Sequence, residues 1–542
     1  MYVIINAYAI KQEKVYRMTK KQKMKRKRIL QRIMPVIIAV ILIVIVLLVS
    51  FGNGIFEEYG KSQKKADMNA YFGLTAADQS EVILNGEYLD TKAKVQDGKY
   101  YLPLKLVNDS IYDGFYYDSN EDKLLFTTAE ETMTASTADY IKDGDSIDVS
   151  VDYVKKFVNM SYSSYDEPAR IVIATVWNER DVADISKDTA LRVNGDNKAD
   201  IIRGLSENTA VEVLSSNEAA YTEVRTEDGY KGFVETKRLS DIRSEKQIPV
   251  ADVSLPAYNG NTESRKIVLG WHNVTNADAN AGINDLIAKS SALNVISPTW
   301  FSLTDNEGNI SSLASEEYVK TAHEKNLEVW GLVDDFTNEV DVESVLSYTS
   351  KRITLENNLM AQAEKYGLDG INIDFEHVPL EGGDDFAQFL RELSIMCRSS
   401  GIVLSADDYV PQDYSKYYRR DVQGKVCDYV IIMGYDEHTS GSEEAGSVAS
   451  IDYVTDGITN TLKDVPADKV INAVPFYTRI WSEESGTLDS KAVGMADAAA
   501  FLKDNAASAK WDDATCQNYA QFDKDGVTYK VWMEDAQSID AK

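Results

Sequence analysis

From Arg265 to Trp481 seven apolar runs recur: "RKIVLGWHNV", "LNVISPTWFSL", "LEVWGLVDDF", "LDGINIDFEHV", "IVLSADDYVP", "YVIIMGYDEH" and "KVINAVPFYTRIW". Between them lie stretches such as "EEYVKTAHEKN" and "DDFAQFLRELSIMCRSSG", whose apolar residues return every three or four positions. The short runs read as buried strands and the periodic segments as amphipathic helices. Strand, helix, strand, repeated, requires parallel pairing through right-handed crossovers. The series predicts a (β/α)8 TIM barrel rather than an open sheet. Polar residues gather at the C-terminal end of each run, where barrel enzymes place their chemistry.

The fourth run is the unusual one. Asn372, Asp374 and Glu376 alternate with Ile371, Ile373 and Phe375. Alternate strand residues point to opposite faces, so one face is apolar and the other carries an amide and two carboxyls. The strand is expected to turn the polar set into the barrel. Polar strand ends can simply hydrogen-bond one another, but two acids at adjacent inward positions repel. That repulsion raises the pKa of one of them and leaves a proton donor near neutral pH.

"DGINIDFE" resembles the D-G-x-D-x-D-x-E signature of family 18 glycoside hydrolases, the chitinase-like barrels, and "IIMGYDEH" is similar to that family's Met-x-Tyr-Asp on the sixth strand. "SPTWF", "PFYTRIW" and "VWMEDAQSI" point to the bacterial cell-wall and spore-cortex branch. The resemblance covers residues 265–542. It implies cleavage of β-1,4 links beside an N-acetyl sugar with the substrate's own acetamide as nucleophile, an exception to the two-carboxylate scheme. By the same resemblance Glu376 is the acid and base, and Asp374 orients the acetamide and stabilises the cyclic cation. Tyr435 holds the acetamide oxygen, Met433 and Asp436 shape the subsite, and Asp369 heads the signature. Asn372 departs from the family pattern, standing where the middle Asp belongs. An amide is expected to hydrogen-bond Asp374 without taking its proton, which alters the pH profile and not the reaction class. No cofactor or metal is implied. No pair of the four histidines has ligand spacing.

Trp300, Phe301, Asp407, Asp408 and Tyr477 fall at strand ends. Each either lines a sugar cleft or packs in the core; Trp300, Tyr477 and Asp408 are taken as substrate-binding.

The N-terminal half reads as a delivery apparatus. Residues 1–32 hold eleven Lys or Arg and one Glu within a chain of net charge −30. The remainder is strongly acidic and lacks the clustered positive charge that a nucleic-acid surface needs. The basic segment runs into residues 33–56, which carry no charge; about 20 such residues cross a bilayer. Basic flanks stay cytoplasmic, so the bulk of the chain is expected outside the cell membrane. The apolar run is long for a signal peptide, and an uncleaved single-pass anchor is the reading adopted.

Residues 57–79 read as a stalk and 80–178 as a small β-rich domain, vaguely resembling the domain that precedes copper amine oxidases. Residues 186–241 resemble a bacterial SH3-like domain through "LRV", "VEVL", "YTEVRT" and "GFV", with Phe233 where that family has Trp. Such modules bind wall peptides or serve as spacers. Residues 242–264 read as a linker. Three scattered cysteines exclude a disulfide framework.

Together these features predict an extracellular hydrolase of an N-acetylglucosamine glycan, peptidoglycan first. The alternatives are a chitinase and a non-catalytic wall-glycan binder. One expectation concerns the end of the chain. Only seven barrel strands are found, followed by a helix-like segment, a hairpin turning at Asp525-Gly526, and the start of a crossover helix. The barrel is therefore expected to be C-terminally incomplete, unless the closing strand lies within Gln517–Asp535.

Overall fold

A computed structural model describes residues 2–52, 60–144, 146–215, 219–249, 253–262 and 266–542. A helix runs over Tyr2–Gly52, and its Lys20–Val49 portion is long and apolar enough to cross a membrane. Within it Val36 and Leu48 are among many exposed apolar side chains. Residues 53–59, which include the end of the expected span and the start of the expected stalk, lie outside the described residues.

The chain divides into two compact units, Met1–Tyr100 with Met160–Asp252 and Tyr101–Asn159 with Val253–Lys542. In the first unit, Gln79–Leu84 pairs in parallel with Ala169–Ala174 and antiparallel with Ala93–Gln96. Residues 179–246 form a seven-stranded antiparallel sheet. This sheet extends beyond the expected 186–241 module, because Glu179–Asp184 pairs with Arg243–Lys246 at its edge. The expected stalk is not free chain. Its helix Met68–Phe72 buries Phe72 in a core with Leu191, Val224 and Val234, and Tyr71 donates its hydroxyl hydrogen to the Lys231 carbonyl.

The expected 80–178 domain is divided as well, since its central residues 101–159, more than half of it, belong to the second unit. There Phe115–Asp118, Lys123–Thr127 and Thr132–Thr134 make a three-stranded antiparallel sheet. Polar contacts tie it to the barrel. Thr349 donates through N and Oγ1 to Asp118 at 2.6 Å each, and Gln388 donates to Thr127 at 2.8 Å. The expected linker is partly ordered in the same way, with Asn261 donating to Asp428 at 2.6 Å.

The barrel strands are β1 (Leu269–His272), β2 (Val295–Leu303), β3 (Glu328–Asp334), β4 (Gly370–Asp374), β5 (Val403–Tyr409), β6 (Tyr429–Met433) and β7 (Val470–Ala473). They pair in parallel in that order. The helices Thr349–Tyr366 (α1) and Gly383–Ser400 (α2) flank β4. α2 buries Phe386, Phe389, Leu390, Leu393 and Cys397, a stripe at helical spacing. That stripe meets Ile371, Ile373 and Phe375 from the outward face of β4, where Phe375 stacks on Phe389 at 5.8 Å. α1 ends because Gly367 adopts φ +67, a left-handed cap a side chain would resist, and three residues later β4 begins.

Inside the barrel the layers grow more polar toward the C-terminal mouth. The bottom layer is Val295, Trp330, Val403 and Tyr429, with Trp330 stacked on Tyr429 at 5.5 Å. Gly370 completes it, since a Cβ there would meet the Trp330 ring at 2.5 Å. Above it Trp271 pairs with Ser297 and Asn372 with Ser405, and nearer the mouth Asp334 pairs with Asp374.

The count of seven parallel strands matches the expectation, and no β1–β7 pairing occurs among the described residues. The segment Gln517–Asp535 does not supply an eighth strand. Gln517–Lys524 and Val527–Met533 belong to a separate five-stranded antiparallel sheet begun by Tyr477–Glu484. The end of the run "KVINAVPFYTRIW" thus leaves the barrel after Ala473.

Candidate active site

β4 delivers Asn372, Asp374 and Glu376 to the interior and the mouth, as the alternation requires. Asn372 is fully buried, and its orientation is fixed by the Trp271 indole, whose N–H can only donate. Trp271 Nε1 reaches its Oδ1 at 3.0 Å and Ser297 Oγ at 3.1 Å. The amide nitrogen then donates to Asp407 Oδ1 at 2.8 Å. The expectation that Asn372 would bond Asp374 is thereby corrected: the amide serves the neighbouring strand.

Asp374 Oδ1 is buried with no hydrogen-bond partner. Its carboxyl is pushed up to about 8, first by burial and then by the charges of Glu376, Asp335 and Asp334. Glu376 is less enclosed. Burial raises it and Asp335 adds to the rise, while the hydroxyl of Tyr409, donating to Oε2 at 2.8 Å, opposes both. Asp335 fixes the backbone at this point by accepting from the N–H groups of Glu376 at 3.0 Å and His377 at 2.8 Å. Asp407 is held well above the carboxylate range by burial and by Asp374. The arrangement is a desolvated acid cluster opening at the barrel mouth, one member exposed enough to exchange a proton with a bound molecule.

β6 ends at Met433, and Tyr435 follows with its ring edge-on to Trp271 at 6.5 Å and to Tyr477 at 6.3 Å. Burial pushes its hydroxyl far up, so it stays a neutral donor. Asp436 holds φ +60 and accepts the Tyr477 hydroxyl hydrogen. Strained non-glycine backbone of this kind concentrates at functional sites.

Seven expected residues therefore converge: Asn372, Asp374, Glu376, Met433, Tyr435, Asp436 and Tyr477. Three do not. Trp300 points outward from β2, is 1% exposed, and donates Nε1 to Asn280 at 2.8 Å beneath Tyr318; it is core. Asp408 also points outward, paired with Arg420 at 2.8 Å and Gln423 at 3.1 Å. Asp369 precedes β4 at the opposite end of the barrel, accepting from Val329 N and His323. In the pair Asp407-Asp408 the parity of β5 decides which acid faces inward, and it is Asp407. Trp271, Tyr409 and Asp335 were findable too, lying at or just beyond strand ends in the apolar runs. No group of His, Cys, Asp and Glu suited to a metal ion occurs among the described residues.

A parallel barrel whose mouth holds an Asp with a buried carboxyl oxygen and a partly exposed Glu two residues apart suits a glycoside hydrolase. Residues 270–542 match the sequence profile of glycosyl hydrolases family 18, and the chain belongs to that family. It is similar to the uncharacterized glycosylase YvbX of Bacillus subtilis (strain 168), 25% identical over 313 residues, which are 54% of this chain and 88% of that protein. It is also similar to the cortical fragment-lytic enzyme of the same organism, 27% identical over 216 residues, 38% of this chain. The match spans half the length of that relative. Among solved structures, the Bacillus cereus spore cortex-lytic enzyme SleL aligns at 20% identity over 56% of this chain and 70% of its own, with a TM-score of 0.45.

Proposed function

We propose that the protein is a membrane-anchored, extracellular hydrolase of β-1,4 links beside N-acetylglucosamine in peptidoglycan, acting by substrate-assisted retaining catalysis. The observation that carries the reading is the inward pair Asp374 and Glu376, desolvated together at the mouth of a family 18 barrel. Glu376 protonates the glycosidic oxygen. The acetamide carbonyl attacks the anomeric carbon and forms a cyclic oxazolinium ion, whose N–H and positive charge are met by Asp374. Tyr435 holds the acetamide oxygen, and Glu376 then takes a proton from the water that reopens the ring. Preorganised charge in a dry site is the main source of acceleration in such a scheme.

The wall substrate is favoured over chitin by the related cortical fragment-lytic enzyme. The long apolar helix supports anchoring, and the antiparallel sheet of residues 179–246 is a candidate wall-binding module. Digestion of purified peptidoglycan by the full chain tests the reading. New reducing ends that are N-acetylglucosamine are expected; N-acetylmuramic acid ends, or cleavage of chitin oligomers alone, would overturn the substrate assignment. A thiazoline mimic of the oxazolinium ion should inhibit competitively, because enzymes bind transition-state-like species more tightly than substrate.

A further inference from the structure

Asn372 lies across from Ser405 and Ile373 across from Ala406. One step further along both strands, Asp407 stands beside Asp374 on the inward face. Asp407 is 3% exposed. Its Oδ1 accepts from Asn372, but its Oδ2 is buried and meets no donor, and Asp374 Oδ1 is in the same condition. Two unpaired carboxylate anions side by side in such a place would be costly both in desolvation and in repulsion.

The surroundings offer little relief. Asp407 is faced by Asp374 and Glu376 from β4, by Tyr435 after β6, and by Asn372, which carries no charge. Asp334 and Asp335, at the end of β3, add negative charge beside Asp374. On its own strand Asp408 points away, and its charge is answered by Arg420. His377, against Asp335 at 3.1 Å, eases only the mouth.

We propose that Asp407 is the positioning residue that sets the ionisation of Asp374: the two carboxyls, on adjacent strands, hold one proton between them and leave a single negative charge at the floor of the cleft. This rests on the substrate-assisted reading, in which Asp374 must be the anion when the ring cation develops. The proton that leaves Asp374 passes to the unpartnered Oδ2 of Asp407 and returns when the ring reopens, so the cluster changes no net charge. Asn372 keeps Asp407 in place and is itself locked by Trp271 and Ser297, so the amide at this position forms part of the arrangement.

The test is an infrared titration of the carboxyl bands of the full chain in detergent, with the Asp374 contribution assigned by difference from Asp374→Asn. In the wild type the pair should titrate in two separate steps, as coupled groups do. In Asp407→Asn the Asp374 midpoint should fall by about one pH unit or more, since a like charge no longer opposes its ionisation. The acid limb of kcat/KM should move the same way, and Asn372→Asp in the Asp407→Asn background should return both upward. A single wild-type step, or an Asp374 midpoint unmoved by Asp407→Asn, overturns the proposal. The titration reads without any substrate, so failure to cleave peptidoglycan would count against the proposed function and not against the carboxyl pair.

Discussion

Tyr409 donates its hydroxyl hydrogen to Glu376 Oε2 at 2.8 Å. A donor aimed at a carboxylate favours the ionised form, so this bond opposes the upward push of burial on Glu376. Tyr409→Phe removes it and leaves the enclosure unchanged. Glu376 should then keep its proton to higher pH, and the alkaline limb of kcat/KM should move to higher pH. A profile that keeps its alkaline limb would mean that Tyr409 only supports the loop.

Glu376→Gln tests the acid itself. The amide preserves size and the Tyr409 contact but has no proton to deliver. General acid–base contributions are typically about 10²–10⁴-fold, so kcat should fall by that order while oligosaccharide binding, followed by calorimetry, is kept. Near-wild-type hydrolysis by a folded Glu376→Gln protein would remove Glu376 from the mechanism.

Much of this was legible in the sequence because strand alternation is a strong signal. Ile371, Ile373 and Phe375 went to the helices, and Asn372, Asp374 and Glu376 went inward. What was illegible follows from the same physics. Trp300 and Asp408 each sit one residue from an inward position, and a single residue reverses the face of a strand. The seams of the non-barrel half were hidden for another reason. Short β strands carry no mark of which neighbour they join, so nothing local in residues 101–159 showed that Asp118 would accept from Thr349 of a barrel helix. Likewise Asn372 could be seen as an amide among acids, but its partner depended on Trp271, a residue 101 positions away.

That lock gives a third prediction. Trp271 Nε1 and Ser297 Oγ both end on the Asn372 oxygen. Ser297→Ala removes one donor from a buried acceptor that retains the other, so the loss of stability should be about 1 kcal/mol, as for an ordinary hydrogen bond. Trp271→Phe removes the other donor and vacates space between Asn372 and Tyr435, and should cost more. Urea unfolding of both variants measures the order, and a larger loss for Ser297→Ala would contradict this account of the lock.

The last prediction concerns the seam between the 101–159 sheet and the barrel. Glu343 and Asp385 are neighbouring half-buried carboxyls, and Glu343 is pushed up to about 8 by burial first and then by Asp385. Asp385 also accepts the hydroxyl hydrogen of Tyr116 from the sheet. A group whose folded pKa lies above its unfolded value binds its proton more tightly when folded. Its stabilising contribution is complete below the unfolded pKa, here 4.5, and is lost as pH rises through about 8. Asp374, also near 8, and Asp408, near 6, act with the same sign. His272, lowered by burial, acts oppositely, losing stability as pH falls below its unfolded value. The full chain should therefore lose thermal stability between about pH 5 and 8, and Glu343→Gln, neutral throughout, should flatten that slope. Melting curves of both proteins across this range decide it. Parallel slopes would show that the Glu343–Asp385 pair does not carry the proton, and that Tyr116 meets an ordinary ionised carboxylate.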